Sequence, residues 1–272
     1  MQQLKLIKRL DRLEEVLREQ IKGFFYAGER IAVKVHMGEA RNKYYIKAPV
    51  IKRIISVLNE LKLKPFLFDS VVLYPGERDT SEKYYKTAEK HGFTEEEIGC
   101  PLIISDTGID IKTKDMTVHV CRELTETDGM LVVSHVKGHC CYGFGGAIKN
   151  LGMGGVTPES KKEIHSAGQA ETDDLLAQGA QAVLKNIKKV FYINFLIDIA
   201  KNCDCDNDAG PIVAEDIGIL FGKDVVAIDK ASLDLINQQK PGIFEKMHNH
   251  DPYLQIKYSK ELGLGEEEYN IS

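Results

Sequence analysis

Six short apolar runs, rich in β-branched and aromatic residues, recur along this chain with amphipathic or polar stretches between them. They fall at residues 31–36, 66–69, 101–105, 130–134, 190–197 and 217–221. Runs of this length, separated by stretches of helical periodicity, predict strands alternating with helices. A spacer long enough to hold a helix lets the chain return and pair the next strand in parallel, which a tight turn does not. The expected fold class is therefore α/β, with a largely parallel sheet flanked by helices. The 272 residues suit one domain spanning 1–272, or two intimately packed subdomains with a weakly marked boundary near 166–170.

The spacers can be read individually. Leu6, Leu10, Leu13, Leu17 and Ile21 recur at spacings of three and four, predicting an amphipathic helix over 3–22 that Gly23 ends. A helix over 49–61 has Pro49 in its first turn. Thr80 caps another that runs to about Lys90, before His91-Gly92. Partial alternation within 107–120 predicts a short hairpin, followed by one or two helical turns over 121–127. Later helices are expected over 171–187, 224–237 and 253–262, with His248 and His250 in a loop.

Composition excludes several classes. A net charge of −5 without a basic stripe argues against a nucleic-acid partner. No uninterrupted apolar run is long enough to cross a membrane, and the charged N-terminus shows no apolar signal core. The expected location is the cytoplasm, where Cys100, Cys121, Cys140, Cys141, Cys203 and Cys205 stay thiols or ligands rather than disulfides.

Chemistry concentrates just past the run 130–134, at His135-Val-Lys-Gly-His139-Cys-Cys-Tyr-Gly143-Phe-Gly145-Gly146-Ala-Ile-Lys149-Asn150, with Lys161 and His165 further on. Ligands of open α/β sheets bind beyond the C-terminal ends of strands. Glycines let backbone amides converge on an anion, a helix starting at Gly146 would point its positive end there, and Lys149 adds a charge. The spacing matches neither the nucleoside-triphosphate loop nor the dinucleotide fingerprint. The alternative is a glycine-rich turn required only for tight packing.

His135, His139 and His165 near one glycine-rich stretch are candidates for binding a transition metal (nickel, iron or zinc) or for moving protons. His36 ends the first of the six runs and Glu39 lies on the turn after it, where His36 either joins that cluster or merely caps the strand. Cys203-Asp-Cys205-Asp-Asn-Asp208 offers two sulfurs and up to three carboxylates to a metal, or is a solvated acidic loop. A disulfide between Cys203 and Cys205 would be strained. For the adjacent pair Cys140-Cys141, packing is the better reading for at least one.

Taken together, Lys34-Val-His36-Met-Gly38-Glu39, Leu73-Tyr74-Pro-Gly76-Glu-Arg78, the segment from Ser134 to Gly154, Cys203-Asp-Cys205, Asp216-Ile-Gly218-Ile and Val226-Ala227-Ile-Asp229-Lys resemble the family called domain of unknown function 362. The resemblance covers about residues 29–236. Many such proteins carry an inserted ferredoxin-like module after the position of His165. Residues 166–189 here contain no cysteine, which leaves a separate ferredoxin-type partner as the implied route for electrons. More distantly, Gly143-Phe-Gly-Gly-Ala-Ile-Lys149 with its flanking histidines is similar to the nickel-pincer lactate racemases. That similarity implies a cofactor anchored by Lys149, with histidines as nickel ligand and as acid and base. In place of that family's proline-glycine after the lysine, this chain has Leu151-Gly-Met-Gly154.

The functional expectation is a metal-dependent enzyme binding a small anionic or nucleotide-bearing ligand. Gly143, Gly145, Gly146, Lys149, Asn150 and Arg78 would serve the ligand, and His36, His135, His139, His165, Cys203 and Cys205 the metal or proton transfer. The alternative is a non-catalytic metal or iron–sulfur accessory protein working with a ferredoxin partner.

Overall fold

A computed structural model describes residues 1–166, 168 and 171–272. The chain starts with strand β1 (Gln2–Ile7) and helix α1 (Leu13–Ile21). Strands and helices then alternate through β2 (Arg30–Lys34), α2 (Ala48–Glu60), β3 (Lys64–Ser70), α3 (Ser81–Lys90), the short α4 (Glu95–Ile98) and β4 (Leu102–Ser105). A hairpin of β5 (Gly108–Lys112) and β6 (Thr117–Cys121) leads to the buried strand β7 (Gly129–His135). A second small hairpin, β8 (Lys137–His139) and β9 (Gly143–Gly145), precedes helices α5 (Ala147–Gly154), α6 (Pro158–Ser166) and α7 (Thr172–Leu184). The chain continues through β10 (Val190–Leu196), β11 (Gly218–Gly222), α8 (Val225–Gln239), α9 (Ile243–His248), α10 (Leu254–Glu261) and β12 (Tyr269–Ile271).

The main sheet has the order β12-β1-β11-β10-β7-β2-β3-β4. Neighbours from β10 across to β4 pair in parallel, and among the described strands of this sheet β11 alone runs against the rest. All six apolar runs are strands of this sheet, as expected. Alternate residues of each strand serve opposite faces. Ile31, Val33, Leu131 and Val133 pack on one face with residues of α1, α2 and α3. Ala32, Met130 and Val132 pack on the other with residues of α5, α7 and α8. Burial on both faces explains why the runs are continuously apolar rather than alternating.

Several local expectations hold. Thr80 Oγ1 accepts the Lys83 amide at 3.3 Å, and Asp224 caps α8 through the Ala227 amide at 2.9 Å. The 107–120 hairpin and the short 3₁₀ turn over Arg122–Glu126 are present. Others need correction. The helix expected over 3–22 begins only at Leu13, and its first residues form β1, where Leu6 and Ile7 face Leu220 and Ile219 of β11. Leu4 and Leu6 already alternate with lysine, a strand signal that the longer three-and-four pattern obscured. His248 ends α9 rather than lying in a loop, and the glycine-rich loop is partly the β8–β9 hairpin. The boundary expected near 166–170 falls largely outside the described residues.

The chain moves outward from β2 to β3 and β4, then returns to place β7 and β10 on the other side of β2. The strand order therefore reverses between β2 and β7, and a crevice opens beyond their C-terminal ends. His36 follows β2, and His135 ends β7, at that crevice.

Candidate metal centre in a basic cleft

The crevice forms a cleft. Its wall includes His36, Arg78, His135, His139, Lys149 and His165, together with Gly145, Gly146, Asn150, Cys203 and Cys205. Residues far apart in the chain thus share one wall. Gly143 does not line it. It occupies the turn of the β8–β9 hairpin at φ +65°, a left-handed conformation natural to glycine.

A buried ion pair fixes the cysteine loop in place. The Asp204 carboxylate, 1% exposed, accepts from His135 Nδ1 at 2.7 Å and from Lys137 Nζ at 3.0 Å. Burial opposes its charge, but His135 and Lys137 prevail and hold it well below the usual carboxylate range. On the other side, the Gly138 amide donates to Ala200 O at 3.0 Å. A Cβ on Gly138 would lie 2.0 Å from Lys201 O, so only glycine allows β8 to approach the loop this closely. His139 and the cysteines on either side of Asp204 are thereby brought together.

The result is a sulfur-rich cluster. Ligand atoms of His139, Cys203 and Cys205 lie within 4.8 Å of one another, and His139 forms a second such group with Cys140 and Cys141. Cys205 Sγ is 3.7 Å from His139 Nε2, while His139 Nδ1 accepts the Cys141 amide at 3.1 Å. Burial, then the charge of Lys149, holds the His139 imidazole well below its ordinary value, so the ring is neutral. Lys149 Nζ donates to Cys203 Sγ at 3.6 Å. Burial works against a Cys203 thiolate, but hydrogen bonding from Cys205 and the charges of Lys149 and Lys137 bring that thiol well below its usual value. All six cysteines are free.

Several candidate residues have other roles in the structure. Both ring nitrogens of His135 face acceptors: Asp204 from Nδ1, and Ile197 O at 2.9 Å and Asp198 O at 3.2 Å from Nε2. Both nitrogens are thus engaged within the protein, and His135 positions the loop. His36 Nδ1 accepts the Gly38 amide at 3.1 Å and its Nε2 faces Arg78 at 3.3 Å, and it belongs to neither sulfur group. His165 sits on the exposed rim, 3.5 Å from the Tyr142 hydroxyl. Asp206 and Asp208 turn to backbone amides of their own loop, so the acidic residues do not join the sulfurs.

The expected anion site at the start of α5 also needs correction. The amides of Ala147 and Ile148 both donate to the Asp229 carboxylate, each at 2.8 Å. An internal carboxylate from α8 already occupies that positive helix end. Asn150 and Arg78 line the cleft, but their polar groups are engaged. Asn150 bonds Lys34, Val133 O and Ser134, and Arg78 bonds Glu39, Tyr74 and Tyr84.

Lys161 and Lys137 carry more of the site than the sequence revealed. Lys161 lies one helical turn before His165 on α6, an i to i+4 spacing that places both on one face. Its ammonium, 5% exposed, donates to Ser70 Oγ at 2.8 Å and to Val71 O, both neutral oxygens. Burial first, with Lys34 and Arg78 adding to it, pushes Lys161 down to about 8.

An open, mostly parallel α/β sheet with a thiol- and lysine-lined cleft at its switch point is the class that fold and site define. The chain belongs to the family described as domain of unknown function (DUF362), which matches residues 31–234. No curated protein matches it. Among solved structures, a protein from Thermotoga maritima superposes with a TM-score of 0.53 at 13% identity, covering 93% of this chain and 59% of that one. The lactate racemase apoprotein from Thermoanaerobacterium thermosaccharolyticum gives a TM-score of 0.49 at 12% identity, over 73% of this chain and 51% of that one. This chain spans less than two thirds of the length of either. Among the described residues, no helix is long and apolar enough to cross a membrane.

Proposed function

We propose that the cleft is the active site of a metal-dependent enzyme, with a transition-metal ion on Cys203, Cys205 and His139 and a small anionic molecule beside it. The observation that carries this reading is the convergence of two sulfurs and a neutral imidazole within 4.8 Å on the wall of a basic cleft. Two thiolates and one imidazole suit zinc, nickel or iron and leave a coordination position open. When Nε2 of His139 takes a metal, the ring proton belongs on Nδ1, so the Cys141 amide must turn aside. That amide belongs to the exposed Cys141, next to the buried Tyr142 that anchors the turn.

The metal would supply a Lewis acid next to the bound anion. The rest is the work of the chain itself. Lys34 pairs with Asp69, Arg78 with Glu39, Lys137 with Asp204, and Lys149 donates to the Cys203 sulfur. Lys161 hydrogen-bonds only to neutral oxygens, and the nearby Asp69 is already paired with Lys34, so its ammonium lacks a negative partner of its own. A ligand with a single negative charge would supply it. With its proton held near neutrality, Lys161 also serves as the general acid or base.

A second reading is supported by the count of thiols near His139. Cys140 and Cys141 on one side and Cys203 and Cys205 on the other give four, the number that iron–sulfur clusters use. That favours an accessory protein working with a ferredoxin-type partner.

Anaerobic purification followed by elemental analysis and mass spectrometry of released small molecules separates these readings. The enzyme reading expects about one metal per chain, lost in Cys203→Ser/Cys205→Ser, with Lys161→Met keeping metal but losing the small molecule. Iron with matching acid-labile sulfide favours the accessory reading. Full metal content in the double cysteine variant defeats both.

A further inference from the structure

Cys140 and Cys141 are the pair of thiols that the proposed centre leaves unused. They are exposed, in contrast to the buried Cys203 and half-buried Cys205. Their sulfurs sit 3.4 Å apart on the turn between β8 and β9. The turn is firmly seated. Gln255 Nε2 donates to Tyr142 O at 3.2 Å and to Phe144 O at 2.8 Å. A Cβ on Gly143 would lie 2.9 Å from His250 O, so the turn rests closely on the segment after α9. The two thiols are thus presented together at the surface rather than free to separate.

The second observation is that His139 belongs to both sulfur groups. It stands with Cys140 and Cys141 toward solvent and with Cys203 and Cys205 toward the interior. Soft ligands bind thiophilic metal ions, and a ligand common to two sites allows an ion to pass between them without becoming fully released.

We infer that Cys140 and Cys141, with His139, form a loading site that captures a thiophilic metal ion from solvent and passes it to Cys203 and Cys205. This inference rests on the metal reading of the cleft. In the capture step the Cys140 and Cys141 sulfurs each bind the ion and release a proton to water. In the transfer step Cys203 and Cys205 replace them and release their thiol protons to water, His139 stays bound, and Cys140 and Cys141 take protons back from water. The oxidation state of the metal does not change.

The test uses the full chain, stripped of metal and kept reduced under anaerobic conditions, mixed rapidly with cobalt(II) alone. Cobalt–thiolate absorption reports each capture. Wild type is expected to show a fast phase followed by a slower one. Cys140→Ser/Cys141→Ser loses the fast phase and fills slowly, yet reaches the wild-type cobalt content. Cys203→Ser/Cys205→Ser keeps the fast phase alone, and a chelator removes that cobalt readily. Circular dichroism shows whether each variant is folded, and single replacements of Cys140 and Cys141 provide a second set. Wild-type loading rates without Cys140 and Cys141 overturn the loading role and leave the metal reading intact. A lower final cobalt content in Cys140→Ser/Cys141→Ser also overturns it, because the pair then belongs to the resident centre. A wild-type protein that takes up no cobalt overturns the metal reading and the loading role together.

Discussion

Replacing Asp204 by Asn should unfasten the cysteine loop at a cost that the structure allows to be worked out. The carboxylate accepts from His135 Nδ1 at 2.7 Å and Lys137 Nζ at 3.0 Å, and is 1% exposed. Asparagine keeps the shape but brings no charge. Lys137, 6% exposed, is then left with His135 O at 2.8 Å as its partner. Two charged hydrogen bonds at about 1.5–3 kcal/mol each bracket the loss at about 3–6 kcal/mol. Broken buried ion pairs cost about 3–5 kcal/mol, so about 4 kcal/mol is expected. Urea unfolding followed by circular dichroism measures it. The pH dependence gives the sign. The carboxyl group is held below its unfolded value, so its contribution is complete at neutral pH and is lost as pH falls below about 4. Asp204→Asn should therefore lose its stability deficit relative to wild type in acid. A loss smaller than about 1 kcal/mol at neutral pH, within the range of ordinary surface changes, would refute the ion-pair argument.

Lys161 sits at about 8, below its unfolded value, so the unfolded chain holds a proton that the folded one has released between pH 8 and 10.5. Wild-type stability should rise across that range relative to Lys161→Met by on the order of 3 kcal/mol, and parallel pH profiles in chemical denaturation would exclude a buried lysine there. Gly138→Ala forces a methyl group against Lys201 O and should destabilise by about 3 kcal/mol or more, with metal content falling as the cysteine loop moves; an unchanged melting temperature would show that the approach is not tight. Asp229→Ala leaves the Ala147 and Ile148 amides and the Asn194 side chain without their acceptor and should cost about 3 kcal/mol in urea unfolding; a neutral result would mean that another group caps α5.

The strands and most helices were legible because their signals are local: β-branched runs, Thr80 before a helix, Asp224 before another. The cleft lining was legible for the same reason, since strand ends can be located from the runs. What the sequence did not reveal is how polar groups choose partners across the fold. Asp229 reads as one more acid in an amphipathic helix, yet it reaches back to Ala147 and closes the helix end that looked open to an anion. His135 reads as a ligand because its neighbours are glycine and histidine, but its two nitrogens are taken by Asp204 and by carbonyl oxygens of the segment after β10. Lys161 stood in the sequence only as a basic residue beyond the glycine-rich stretch, and the packing of α6 on the end of β3 is what buries it. In each case the deciding contact joins distant residues, and no periodicity records it.

X-ray absorption spectroscopy of the anaerobically isolated, metal-bound protein tests the central assignment most directly. With Cys203, Cys205 and His139 as ligands, the spectrum should show two sulfur scatterers at about 2.3 Å and one nitrogen at about 2.0–2.1 Å for zinc, with the sulfur shell lost in Cys203→Ser/Cys205→Ser. A wild-type spectrum with only nitrogen and oxygen scatterers would contradict the assignment, placing the metal away from the cysteine loop.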